Sequence, residues 1–215
     1  MSGQASTDAG LIAARAEFYA LMAAIFRRPL DAGQVEGLRN PQMLAALAAA
    51  GIDPGPDFAS APARDLREAL AIDFTHIFHD PEGKIMPYEG LMLAGDDELH
   101  GKRSEEVERF LASVGYRVPP ESGEMADHIA VELEFMADLA RREAGAVAGH
   151  DHETAERARA IQRDFLEQHL GQWLDRLAGQ VAARAQGPFY ANLARALAEF
   201  VQSDREALAG TGGAR

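Results

Sequence analysis

The chain of 215 residues contains no cysteine. It can therefore form no disulfide and offer no thiolate to a metal ion or an iron–sulfur cluster. A chain without cysteine also fits a reducing compartment, where thiols gain nothing from pairing. The absence excludes the disulfide-rich secreted class and the cysteine-based metal proteins.

Signals for export or membrane insertion are also missing. The N-terminal stretch MSGQASTDAG has neither a basic start nor an apolar run, so we predict no signal peptide. The longest apolar run, Met43 to Ile52, has ten residues, which is too short to span a bilayer. We therefore expect a cytoplasmic protein with no integral membrane segment.

Basic residues are scarce, and the deficit is concentrated in one part of the chain. There are 21 Lys and Arg against 34 Asp and Glu, a formal charge of −13. Residues 65–143 hold 19 of the acids and eight of the bases. Such a field repels phosphate backbones and attracts basic ligands, so we expect no nucleic-acid partner. The alternative is an acidic surface that serves only solubility.

Apolar residues recur at helical spacing almost throughout, and no stretch shows the alternation typical of strands. We predict an all-α fold, a single globular domain over residues 1–209, with a disordered tail over residues 210–215. Val131, Leu133, Phe135 and Met136 surround their helix, which indicates a buried central helix.

Several helix boundaries can be predicted from capping residues. Asn40-Pro41 should begin a helix that stops at Gly51, and Ser104 should cap one that runs to Gly115. Residues 80–102 are expected to be irregular. GEMADHIAVELEFMADLA, starting at Gly123, reads as one helix, and the following helix is expected to break near Gly171 or Gly179.

On the helix that starts at Gly123, His128 has Glu124 four residues before it and Glu132 four after it, which would form one stripe. The stripe has four interpretations. It is an exposed salt-bridged face, a docking site for a basic ligand, a metal site, or part of a catalytic site in which Asp127 and His128 act as an acid–base pair. The four remain open at this point.

Histidines and glycines elsewhere give weak motifs. His76 and His79, and likewise His150 and His152, have no obvious third and fourth ligand, and no Glu-x-x-His motif occurs, so we predict no metal and no cofactor. The stretch from Gly95 to Lys102 resembles a phosphate loop, but its spacing is one residue too long and it contains three acids.

Aromatic residues flank the acidic segment. Phe74 and Phe78 lie four residues apart and are more typical of a core than of a groove. Tyr88 lies between Pro87 and Glu89 in a predicted loop, where its rigid ring and polar tip suit peptide binding.

The segments DFTHIFHDPEGKIMPYEGLML and ADHIAVELEFMADLA resemble two conserved blocks of the TorD/DmsD/NarJ family, a Pro-Tyr-Glu loop and an Asp-His-Ile…Glu-Leu-Glu-Phe-Met helix. FYALMAAIFRRPL, QHLGQWLDRLAGQV and FYANLARALAEFVQSD are similar to its first and last helices. The chain departs from the family pattern at Asp73-Phe74, Met86, Gly90 and Asp175.

This resemblance implies a cytoplasmic, non-enzymatic chaperone dedicated to a molybdoenzyme. Its partners would be the catalytic subunit of a molybdenum oxidoreductase and that subunit's signal peptide, often of the twin-arginine type, held until the molybdenum cofactor is inserted. The family's peptide-binding residues correspond to Tyr88, Glu89, Asp127 and His128. The complete predicted peptide-binding set is Phe74, Phe78, Pro87, Tyr88, Glu89, Glu124, Asp127, His128 and Glu132.

Two functions of other classes remain as alternatives. The first is a helical enzyme that uses His128 as a general base, and the second is a structural subunit that stays in the mature complex. The chaperone itself is expected to be a monomer or a homodimer. The sequence does not name the client enzyme.

Overall fold

The computed structural model describes residues 2–93 and 101–210, and every regular element in these ranges is helical. The ten α-helices are α1 Ser2–Arg27, α2 Ala32–Leu38, α3 Pro41–Ala49, α4 Ala63–Phe78, α5 Glu89–Met92, α6 Lys102–Ser113, α7 Ile129–Ala148, α8 His152–Gln168, α9 Leu174–Arg184 and α10 Pro188–Gly210. Single 3₁₀ turns lie at Pro120–Ser122 and Leu170–Gln172. The predicted all-α class is confirmed.

Side-chain caps explain where several helices begin. Asp31 and Gln34 form a reciprocal capping box at α2. The Asn40 side chain accepts a hydrogen bond from the Gln42 N–H, and Gly51 follows α3 with a φ of 72°, a backbone conformation that favours glycine. The predicted boundaries of α3 are therefore confirmed.

The chain divides into two compact units. Unit 1 comprises the described residues of Met1–Phe26, Tyr88–Trp173 and Val201–Arg215, and unit 2 those of Arg27–Pro87 and Leu174–Phe200. The sequence of unit 1 has 23 acids and 12 bases, a formal charge of −11, whereas that of unit 2 has a charge of −2. The predicted domain range of 1–209 stays a prediction.

Unit 1 is built around α7. The four apolar residues predicted to surround this helix, Val131 to Met136, are at most 1% exposed, so the central position of α7 is confirmed. The Phe135 ring contacts the rings of Phe110, Tyr116 and Phe165, with centroids 4.8–6.3 Å apart. Edge-on aromatic contacts at these distances stabilise a core beyond the burial of apolar area alone.

Unit 2 has its own aromatic core. The rings of Phe58 and Phe189 stack at 5.2 Å, and Phe74 contacts Phe78 at 4.8 Å and Tyr190 at 5.8 Å. The buried Asp73 carboxylate accepts hydrogen bonds from the Gln186 and Gly187 N–H groups just before α10. This contact fixes the start of α10 on α4.

Two predicted helix starts are wrong. α6 begins at Lys102, so Ser104 lies within its first turn and its hydroxyl donates to Asp127 instead of capping the helix. α7 begins at Ile129 with His128 as its N-cap, so the residues from Gly123 to Asp127 lie outside the helix. Neither α2 nor the short α5, which lies inside the segment expected to be irregular, was predicted.

Within α1, the stretch Ser6–Arg27 is long and apolar enough to cross a membrane, with a mean hydropathy of 1.5. A core helix of a soluble protein can meet the same criterion, and about a third of this stretch is buried. The absence of a membrane segment therefore stays a prediction. Most of the phosphate-loop-like stretch and residues 211–215 of the tail lie outside the described residues.

Candidate functional site

The segment that begins α5 is bound to the segment that precedes α7. Tyr88 and His128 form an isolated antiparallel β-bridge, and the Glu89 N–H donates to the Asp127 carbonyl oxygen at 2.9 Å. The Gly90 N–H donates to the Asp127 carboxylate at 3.3 Å. Two stretches that are at least 37 residues apart in sequence are thus joined by hydrogen bonds within unit 1.

Asp127 is a buried structural acceptor, with 1% of its surface exposed. Its Oδ1 accepts the Ser104 hydroxyl at 2.9 Å and its Oδ2 accepts the Gly90 N–H. A buried carboxylate needs such donors to offset its loss of hydration. Asp127 therefore connects α5, α6 and the start of α7.

His128 is the N-cap of α7, and its Nδ1 accepts the Ala130 N–H at 3.2 Å. In the neutral ring the proton then lies on Nε2, which is 3.9 Å from Glu124 Oε2. The His128 ring also lies edge-on to the Tyr88 ring, with centroids 4.9 Å apart. The imidazole is thus held in one orientation by a backbone donor, an aromatic ring and a carboxylate.

Glu124 and Tyr88 are the half-buried members of the cluster. The Tyr88 hydroxyl donates to Glu124 Oε2 at 3.0 Å. Partial burial, followed by the negative charge of Glu124, raises the pKa of the Tyr88 hydroxyl above its usual range, so Tyr88 stays a neutral donor. These two side chains form the part of the predicted set that a ligand can reach.

Glu89 and Glu132 are both fully buried. The Glu89 carboxylate lies 3.2 Å from His169 Nδ1 and 3.7 Å from Arg103, and Glu132 Oε2 accepts the Trp173 indole N–H at 3.2 Å. Burial raises the pKa of Glu132 well above its usual range, and the negative charge of Glu89 raises it further. Both effects oppose ionisation of Glu132, so its buried position favours the neutral form.

The predicted stripe is only partly present. Glu124 and His128 do approach each other, but Glu124 precedes the helix and Glu132 points into the buried cluster with Trp173. Phe74, Phe78 and Pro87 belong to unit 2, where all three are buried. The structure thus brings together, within unit 1, Tyr88, Glu89, Glu124, Asp127, His128 and Glu132.

Sequence reasoning missed the partners of this cluster, which are Arg103, Ser104, His169 and Trp173. His169 lies 80 residues from Glu89 and Ser104 lies 23 residues from Asp127, so no helical spacing links either pair. Ser104 lies among charged residues, and His169 and Trp173 lie in mixed polar stretches, so the local sequence gives no signal of a buried partner. Buried polar groups are usually hydrogen-bonded, but the identity of the partner depends on tertiary contacts.

A cavity of about 630 Å³ opens next to Glu124. It is lined by residues of α6, of the turn after it and of the segment before α7, namely Ser104, Glu108, Leu111, Ala112, Gly115, Tyr116, Arg117, Val118, Glu124, Met125 and Ala126. Its lining combines apolar side chains with two carboxylates. The volume falls in the range typical of ligand sites.

The described residues contain no cluster of three or more histidine, aspartate or glutamate side chains placed to hold a metal ion. His76, one of the predicted weak candidates, pairs with Asp80 at 3.2 Å in unit 2. The chemistry that the site offers is hydrogen bonding and charge, through a neutral tyrosine and an accessible carboxylate.

Comparison with known proteins gives a consistent result. The family model described as nitrate reductase delta subunit matches residues 36–179. Among curated proteins, the chaperone protein TorD of Vibrio parahaemolyticus is 29% identical over 208 residues, which cover 91% of this chain and 95% of that protein. TorD of a Psychrobacter species is also 29% identical, with 91% of both chains covered.

Among solved structures, a redox enzyme maturation protein from Archaeoglobus fulgidus has a similar fold. The TM-score is 0.53 at 22% sequence identity, and the match covers 87% of this chain and 93% of that one. At this identity the likeness shows the fold.

Proposed function

Because this chain belongs to the nitrate reductase delta subunit family, we propose that it binds the N-terminal signal peptide of a molybdoenzyme catalytic subunit, of the twin-arginine type. The protein is a chaperone of molybdoenzyme maturation and not an enzyme. The proposal adds the peptide, its class and the place where it binds. It also implies that the chaperone acts in the cytoplasm, before export, while the cofactor is inserted.

One observation carries the proposal. Glu124 lines the cavity and accepts the hydroxyl of the half-buried Tyr88, in the unit whose sequence has a formal charge of −11. A basic peptide gains from that field at long range and from a carboxylate at short range. A tyrosine beside the carboxylate supplies a flat apolar face for the rest of the peptide.

The remaining predicted residues have different parts in this proposal. Asp127 and His128 hold Tyr88 and Glu124 in place through the backbone bridge and the edge-on ring contact. Glu89 and Glu132 support the same region from the buried side. Phe74, Phe78 and Pro87 stay predicted contacts of the apolar part of the peptide.

The two alternative functions make different predictions. A general base must reach a substrate proton, whereas His128 is 5% exposed and its Nδ1 already accepts a backbone N–H. A structural subunit would copurify with the mature enzyme in a fixed ratio. A maturation factor should be absent from the mature complex, whether the chaperone itself is a monomer or a homodimer.

Calorimetric titration tests the proposal directly. The ligand is a synthetic peptide with two consecutive arginines followed by a leucine–alanine segment, and the control peptide has glutamines in place of both arginines. We expect saturable binding of the first peptide, and binding of the second that is at least about tenfold weaker, the loss that one charged hydrogen bond gives. Equal affinity for the two peptides would contradict the proposal.

A further inference from the structure

We propose that the cavity beside Glu124 is a pocket for one arginine side chain of the client peptide, and that Glu108 on α6 is its second carboxylate. The inference rests on the proposed function, because it assumes a basic peptide ligand. It adds a subsite and a specificity-determining residue that lies outside both sequence blocks that resemble the family.

The lining of the cavity suits an arginine side chain. Leu111, Tyr116, Val118 and Met125 supply an apolar wall, and Glu108 and Glu124 supply the two carboxylates. An arginine side chain has a matching division, with an apolar stem and a charged planar head. A purely apolar ligand would displace water from the carboxylates without offering a donor in its place, which costs free energy.

The two carboxylates have acceptor atoms available for a guanidinium. Glu124 accepts the Tyr88 hydroxyl through Oε2, and no described residue donates to its Oε1. Glu108 is exposed on α6, and its carboxylate forms no ion pair or hydrogen bond with any residue in the described ranges. Because the Tyr88 hydroxyl stays neutral, it orients Glu124 without cancelling its charge.

Arg117 is the one base among the lining residues. It is exposed and pairs with no other residue that the structure describes. The lining therefore has two carboxylates and one positive charge, a net charge of −1. The positive charge of Arg117 repels a second cation that enters the same cavity. The proposal therefore makes predictions of opposite sign. Removing Glu108 should weaken the binding of an arginine peptide, and removing Arg117 should strengthen it.

The neighbouring acid Glu105 provides a matched control. It is exposed on the same helix but does not line the cavity. A change of Glu105→Gln alters the net charge by the same amount as Glu108→Gln. A comparison of the two variants therefore distinguishes the loss of a contact in the cavity from a general weakening of the negative field of unit 1.

The test is a double-mutant cycle measured by titration calorimetry. The protein is wild type, Glu108→Gln, Glu105→Gln or Arg117→Gln, and the probes are the double-arginine peptide and its versions with a single arginine replaced by glutamine. We expect Glu108→Gln to lower the affinity for the double-arginine peptide by about tenfold, and Glu105→Gln to lower it by less than about threefold. We expect Arg117→Gln to raise that affinity. For one of the two single-arginine peptides, Glu108→Gln should no longer lower the affinity, because that peptide lacks the arginine that enters the cavity.

The outcomes are distinguishable. If wild type binds the double-arginine peptide no better than its glutamine version, the proposed function fails and this inference fails with it. If wild type prefers arginine but Glu108→Gln and Glu105→Gln behave alike, peptide binding stands and the pocket is wrong. Circular dichroism of each variant should match wild type, and because Arg117→Gln acts in the opposite direction, loss of folding cannot mimic the expected pattern.

Discussion

At the scale of single residues, buried acids determine how the site responds to pH. Glu132 has a raised pKa in the folded protein, because it is fully buried and lies near the negative charge of Glu89. In an unfolded chain the pKa of a glutamate is about 4.3. The stabilising contribution of neutral Glu132 is therefore complete below that pH, and it is lost as the pH rises through the raised pKa of the folded state.

The change of Glu132→Gln mimics the protonated side chain, and its amide oxygen can still accept the Trp173 N–H. We predict that this variant unfolds at a higher temperature than wild type at pH 7.5, and that the difference disappears near pH 4. Thermal denaturation followed by circular dichroism across this range measures it. Glu167→Gln, exposed on α8, should show no such trend, and a less stable Glu132→Gln at pH 7.5 would contradict the assignment.

Asp127 is the second residue-scale case. An asparagine has one acceptor oxygen for two donors, the Ser104 hydroxyl and the Gly90 N–H. We therefore expect Asp127→Asn to lower the free energy of unfolding by about 1–3 kcal/mol, the cost of leaving a buried polar group unpaired. Chemical denaturation gives the value. The exposed Glu153→Gln should be neutral, and a fully stable Asp127→Asn would show that the buried carboxylate does not hold α5 and α6 in place.

At the scale of helices, most of the helices could be predicted from the sequence, whereas some of their boundaries could not. The apolar spacing in α1, α4, α7 and α10 and the Asn40-Pro41 cap mark those helices correctly, because they depend on neighbours within a turn. The start of α7 was missed because Met125 and Ala126 extend the apolar pattern beyond the helix. The helix begins only after His128, because the backbone bridge between Tyr88 and His128 holds this segment outside the helix. That bridge is a contact between distant segments of the sequence.

The start of α10 gives a prediction for an element of unit 2. Asp73 on α4 accepts both the Gln186 and the Gly187 N–H groups, so it substitutes for a local cap. Asp73→Asn should cost about 1–3 kcal/mol of stability and should speed amide exchange at Gln186, Gly187 and the first turn of α10. Hydrogen exchange by mass spectrometry detects this. Glu68→Gln, exposed on the same helix, is the control, and unchanged exchange at Gln186 and Gly187 would contradict the capping role.

At the scale of the whole molecule, the distribution of charge was visible in the sequence and its consequence for binding is testable. The sequence placed the excess acid in residues 65–143, and most of that stretch falls in unit 1, where the cavity lies. The partners of the buried acids could not be predicted, because tertiary contacts such as Glu89 with His169 leave no periodic signal. Charge is a sum over the sequence, whereas a site depends on which distant residues meet.

The affinity for the double-arginine peptide should therefore depend on salt. We expect it to fall by roughly tenfold between 0.05 and 0.5 M sodium chloride, because exposed attractions are screened over about 10 Å at 0.1 M. The glutamine peptide should show little change. Equal salt dependence for both peptides would mean that the acidic field of unit 1 does not act on the arginines.

The central claim is that the chaperone recognises the N-terminal peptide of an immature molybdoenzyme. The most direct measurement is coexpression of the tagged chaperone with a candidate catalytic subunit, either intact or lacking only its N-terminal peptide, followed by purification and determination of the molybdenum content of the bound subunit. We predict that the intact subunit copurifies in a form poor in molybdenum, and that the truncated subunit is lost. Copurification of both forms to the same extent, or of the intact subunit with its full complement of molybdenum, would contradict the account.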